Sequence, residues 1–146
     1  MYIEKFYNHD ELIDFYISRG IEFNETRKYF RTPLFSYVAK ITDLIVGAIT
    51  ICKEGNNFIL DELAVLSEYE NQGIGTSLFE TSVKYIEEQY GNSKIYLVAK
   101  IPLFWKNKGF KCISKDEAPE FSECFTCPEF QKNCFPEIMV LDLNSK

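Results

Sequence analysis

Two glycines one residue apart, Gly73 and Gly75, stand where an alternating apolar run gives way to a helical pattern. Between residues 60 and 78 the chain reads strand, turn, helix. Such a junction can hold an anion, because glycine lets the backbone come close. The unpaired N–H groups of the first helical turn then point at the ligand with the helix dipole behind them. The residues that would present amides are Asn71, Gln72, Gly73, Ile74, Gly75 and Thr76; the competing reading is a plain glycine-containing helix entrance. Two carboxylates, Asp61 and Glu62, lie on the strand leading into this turn, and regular alternation would send them to opposite faces. Farther on, Cys124 and Cys127 form a Cys-x-x-Cys pair, with Cys134 following. These three thiols have the spacing to grip one tetrahedral zinc ion, with Cys112 or, more remotely, His9 as a fourth ligand. Reducible thiols, with Cys124 and Cys127 as a redox pair, are an equal reading. Cys52 reads as a small buried apolar residue.

The elements that would position these groups follow from periodicity. Residues 9–19 place Leu12, Ile13, Tyr16 and Ile17 at helical spacing, with Asn8 or Asp10 as cap and Gly20 as stop. His9, the only histidine, sits at that helix entrance, where a capping or surface role suits it. Residues 25–31 form a short charged helical piece that ends before Pro33. Strands are expected at 34–41, 44–53 and 57–66, and their short turns imply antiparallel neighbours. A helix over 73–90 carries Ile74, Leu78, Phe79, Val83 and Ile86 on one face and closes at Gly91-Asn92. A strand at 94–100, a proline-opened helix at 102–108 and strands at 110–114 and 138–143 complete the chain. Strands on either side of a long helix mean a mixed sheet of α/β or α+β class.

With 146 residues, 46% hydrophobic and 26% charged, the chain fits one globular domain spanning 1–146, which buries roughly two thirds of its unfolded surface. No apolar run reaches the ~18 residues that cross a bilayer, and the first residues carry no secretory pattern. A cytoplasmic protein is the expectation, and five cysteines without an export signal argue for free thiols or a metal over a disulfide framework. A net charge of -6 opposes nucleic acid and anionic membranes as partners and suits a cationic amine.

The stretch from Leu63-Ala64-Val65 to Gly73-Ile74-Gly75 resembles the central acetyl-CoA motif of the GNAT superfamily of N-acyltransferases. Phe104-Trp105-Lys106-Asn107-Lys108-Gly109-Phe110 resembles that family's later Gly-Phe signature, and the order of elements matches over nearly the whole chain. The resemblance implies a mostly antiparallel, mixed central sheet with helices on both faces. It also implies transfer of the acetyl group of acetyl-CoA to a primary amine, on a small molecule or peptide, by direct attack. The cofactor arm and thioester carbonyl would lie on the backbone of Leu63, Ala64, Val65 and Leu66, with Trp105 nearby, and Glu62 would be the base. Three positions depart from the family pattern: Glu70 stands where Arg or Gln is usual, Val98 where Asn is common, and Trp105 where a Tyr usually serves the departing thiolate. Indole cannot act as that acid, so Trp105 reads equally as packing, and a non-catalytic acyl-CoA-binding or metal-thiol-sensing module is the alternative function. Edge strands of this fold often pair between subunits, which makes a homodimer the expectation.

Overall fold

The computed structural model describes residues 1–21, 33–91, 93–99, 101–114 and 137–143. Along the chain these form β1 (Tyr2–Lys5), α1 (His9–Ser18), β2 (Pro33–Ile41), β3 (Leu44–Glu54), β4 (Asn57–Val65), a single 3-10 turn (Ser67–Tyr69), α2 (Ile74–Tyr90), β5 (Lys94–Ala99), α3 (Pro102–Lys106), β6 (Lys111–Ile113) and β7 (Glu137–Asp142). The seven strands make one sheet in the order β1-β2-β3-β4-β5-β7-β6. All neighbours are antiparallel except β4 and β5. This is the mixed, mostly antiparallel sheet implied by the motifs.

The first strand is an addition to the sequence reading. Four residues with two charges show no legible alternation, and pairing with β2, from Tyr2 opposite Lys40 to Lys5 opposite Tyr37, is what makes them a strand. The helical piece expected over 25–31 lies outside the described residues.

The two faces of the sheet are covered by different helices. Ile74, Leu78, Phe79, Val83 and Ile86 of α2 pack with Ile49, Ile51, Phe58, Leu60, Ile95 and Leu97 in the larger core cluster. On the other face, Leu12 and Tyr16 of α1 pack against Val38 and Ala48. Asn8 caps α1, its side chain accepting from the Glu11 N–H at 3.1 Å. Tyr16, fully buried, is pinned by its hydroxyl, 2.8 Å from Thr50 Oγ1; Ser36 Oγ lies 2.9 Å from the same atom. Burying three hydroxyls is tolerated because they satisfy one another.

Gly47 sets how closely α2 approaches. A Cβ there would lie 3.0 Å from Ile74 Cγ2 and 3.1 Å from Leu78 Cδ1. The missing side chain lets the first turn of α2 settle directly on β3.

Candidate functional site

The candidate residues of β4 and of the turn into α2 collect where β4 and β5 part. The two strands pair only at Asn57 with Lys94, Phe58 with Ile95 and Ile59 with Tyr96. Beyond that point β4 runs on to Val65 alongside β3, while β5 stays with β7 as far as Ala99 opposite Glu137. The cause of the parting is local. Thr50 pairs with Glu62 and Ile51 with Leu60, so Asp61 is an extra residue in β4. Such a bulge bends the strand and sharpens its twist, and it falls just after the last residue paired with β5.

The bulge also corrects the expected placing of the two carboxylates. Leu60 and Leu63 both pack with the α2 core, so the two residues between them fall together on the opposite face. Asp61 Oδ2 accepts from the Cys52 thiol at 3.0 Å, and Glu62 sits across from Thr50 on the side where Ala64 meets the α1 cluster. Both carboxylates are half-buried. Cys52 is buried, as expected.

Backbone groups open into the parting from alternate residues only, not from the whole expected run of Leu63 to Leu66. The Leu66 N–H donates to the Val46 carbonyl at 2.8 Å; Leu66 therefore offers no free amide, and in this antiparallel register Ala64 and Glu62 likewise turn their N–H and C=O groups to β3. Leu63 and Val65 turn theirs the other way, toward the side β5 has left. The Val65 carbonyl accordingly accepts from Arg19 Nε at 2.9 Å.

After the 3-10 turn the chain enters α2 through two left-handed residues, Asn71 at φ 64° and Gly73 at φ 81°. Alternation of this kind turns successive N–H groups into a concave anion nest. The first helical bond is that of the Ser77 N–H to the Gly73 carbonyl at 2.9 Å, so the amides of Ile74, Gly75 and Thr76 precede the helical ladder. Neither a side-chain cap nor an acidic residue occupies this first turn. A Cβ on Gly75 would lie 3.8 Å from Val65 Cγ2 and 3.9 Å from Leu63 Cδ2, which places the nest against the open end of β4. Of the residues named from sequence for the cofactor, Leu63, Val65 and the turn from Asn71 to Thr76 thus lie together, whereas Ala64 turns its backbone to β3 and Trp105 is packed elsewhere.

Glu70 does not face this nest unopposed. Its Oε1 lies 3.1 Å from Arg19 Nη2, so one guanidinium binds both Glu70 and the Val65 carbonyl. The side chains are 23% and 52% exposed, and an ion pair so placed contributes at most about 1 kcal/mol to stability. Its consequence is orientation. Arg19 and Gly47 escaped the sequence reading. The glycine carried a signal, since an isolated Gly inside a strand pattern marks a bulge or a close approach, whereas Arg19 acts 46 residues from Val65 without a local pattern to disclose it.

The later motif builds packing. Trp105 is buried, its ring 5.6 Å from Phe79, 5.4 Å from Phe110 and 4.8 Å from Phe104, all edge to face. Gly109, at φ 97°, ends α3 so that the Phe110 N–H returns to the Trp105 carbonyl. Little of the indole remains for a ligand. Val98 packs with Cys52, Ile59 and Ile138 on the face away from α2. Cys124, Cys127 and Cys134 lie outside the described residues; among the described ones no cluster of three or more His, Cys, Asp or Glu is arranged to hold a metal. Cys112 is exposed on β6, where desolvation and the neighbouring Glu137 push its thiol up. Among the described residues no helix is long and apolar enough to cross a membrane.

Comparison with known proteins places this arrangement. The sequence profile of the acetyltransferase (GNAT) family matches residues 3–110. An uncharacterised N-acetyltransferase of Chlorobaculum tepidum is 33% identical over 69 residues, a match covering 46% of this chain and 44% of that protein. Among solved structures, Arabidopsis thaliana Naa50 in complex with the bisubstrate analogue CoA-Ac-MVNAL superposes with a TM-score of 0.67 at 17% identity, over 97% of this chain and 98% of that one. The ribosomal-protein-S18-alanine N-acetyltransferase of Escherichia coli gives 0.70 at 15% identity, over 97% and 93%. The family's profile covers both the parting of β4 and β5 and the nest at the start of α2, and the chain belongs to the GNAT family of acetyltransferases.

Proposed function

We propose that the protein moves the acetyl group of acetyl-CoA to a primary amine by direct attack. The observation that carries this reading is the joining of an anion nest, at Asn71 to Thr76, to a strand end whose Leu63 and Val65 backbone groups are turned outward. A diphosphate suits the first, because the amides and the helix dipole stabilise negative charge. An amide-bearing arm and a thioester carbonyl suit the second. Acetyl-CoA contributes the activated acyl group. The Val65 N–H is positioned to donate to the carbonyl oxygen as charge builds there. Glu62, on the opposite face of the same strand end, takes the proton from the attacking amine; as the C–N bond forms the C–S bond breaks, and coenzyme A leaves as its thiolate to be protonated by water. With no cysteine in the turn, no covalent acyl-enzyme is invoked.

The packing of Trp105 motivates a second reading, an acyl-CoA-binding module without turnover, because the indole offers the departing thiolate no acid. Release of free coenzyme A thiol, followed with acetyl-CoA and a panel of amino acids, polyamines and peptides, separates the two. Acetyl transfer predicts amine-dependent thiol release with at least one acceptor class. Tight acetyl-CoA binding with no release above the amine-free rate across the panel would favour the binding module.

A further inference from the structure

A carboxylate at the head of a diphosphate nest works against the ligand, and Glu70 occupies that position. The structure answers it from the far side of the sheet. Arg19, the residue closing α1, has its backbone fixed by a bond from its N–H to the Tyr16 carbonyl at 3.0 Å. Tyr16 is itself buried and tied to Thr50 at 2.8 Å. From that anchored base the Arg19 guanidinium reaches past the end of β4, places Nε 2.9 Å from the Val65 carbonyl oxygen and Nη2 3.1 Å from Glu70 Oε1. Because the guanidinium is planar, making the first bond fixes the direction of the second.

We propose that Arg19 is a positioning residue for the acyl-CoA diphosphate: it neutralises Glu70, holds its carboxylate away from the amides of the nest, and fixes the end of β4 from which the nest hangs. The proposal rests on the reading of this turn as the acyl-CoA site. Its distinctive consequence is non-additivity. Without Arg19 the carboxylate of Glu70 is an uncompensated negative charge at the head of the turn, and removing that charge as well should relieve most of the damage. A purely structural Arg19, or one that binds the ligand itself, would give no such rescue.

The test is calorimetric titration of acetyl-CoA into the wild type, Arg19→Ala, Glu70→Gln and the double variant, with the melting temperature of each as a check of folding. Arg19→Ala should weaken binding about tenfold, as expected for an unpaired charge several ångströms from a dianion in a partly exposed site. Glu70→Gln alone should stay within about threefold of the wild type, and the double variant should return to within about threefold, because the repulsion it relieves is the one lost with Arg19. The Arg19→Ala defect should shrink at high salt. Arg19→Gln, shorter but polar and uncharged, replaces the alanine variant if that one fails to fold. Equal affinity in wild type and Arg19→Ala, or equal weakness in Arg19→Ala and the double variant, would overturn the proposal while leaving the acyl-CoA site standing. A wild type that does not bind acetyl-CoA would overturn both.

Discussion

The Glu62→Gln variant is expected to turn over about 10²- to 10⁴-fold more slowly than the wild type, the range a positioned general base supplies, with its affinity for acetyl-CoA unchanged. The amine must lose a proton as it attacks, and glutamine keeps the size and hydrogen-bonding reach of glutamate without being able to take one. Glu62 is half-buried in β4, across from Thr50 and just beyond the Asp61 bulge. That placing puts it beside the open backbone of Leu63 and Val65 without making it part of the anion nest. The neighbouring Asp61 is engaged by the Cys52 thiol, so Asp61→Asn should disturb stability more than turnover. Rates of thiol release against pH, with the most active amine, provide the readout: the wild type should show a basic group on which kcat/KM depends, and the variant should lose it. Wild-type kcat in Glu62→Gln, with the pH profile intact, would assign the proton to water or to another group.

The second large effect concerns a residue that touches no ligand. Gly47→Val should destabilise the protein by roughly 1–3 kcal/mol, the usual cost of overpacking a filled site, and should weaken acetyl-CoA binding as well. The added Cβ would meet Ile74 Cγ2 at 3.0 Å and Leu78 Cδ1 at 3.1 Å, with the Ala64 carbonyl oxygen at 3.4 Å. The Leu78 Cδ1 tip can swing away and Ile74 Cγ2, held at a branched Cβ, need give only a few tenths of an ångström, so Gly47→Ala should cost less than the valine variant. Valine's two further methyls require the first turn of α2 to lift from β3, and the amides of Ile74, Gly75 and Thr76 move with it. Melting curves and acetyl-CoA titrations of both variants test this. A destabilised valine variant that binds acetyl-CoA as tightly as the wild type would show that the close seating of α2 matters to the core and not to the site.

The legible and illegible parts of this fold divide along physical lines. α2 could be read because its apolar residues repeat every three or four positions over seventeen residues and glycines bracket it. β2, β3 and β4 were legible because short turns separate β-branched and aromatic runs. The turn into α2 was legible as well, since glycines announce it. β1 was not, because an edge strand of four residues draws its conformation from its partner. The facing of Asp61 and Glu62 could not be read either: alternation holds only in a regular strand, and the bulge that breaks it is a property of the β3 pairing. The misassigned Leu66 amide has the same origin, in that sequence shows where strands part but not which of two alternating amide sets turns outward. Glu70 looked like a defect in the nest until the Arg19 guanidinium, supplied by α1, appeared beside it.

Whether the turn from Asn71 to Thr76 holds the diphosphate of an acyl-CoA is read from the melting temperature with and without a large excess of acetyl-CoA, with NAD and ATP as controls. Ligand at a hundred times its dissociation constant adds about 2.7 kcal/mol to stability. A diphosphate held in this turn should give a rise of several degrees with acetyl-CoA that neither control reproduces. An unchanged melting temperature in a folded sample, or an equal rise with all three, would contradict that placing of the diphosphate.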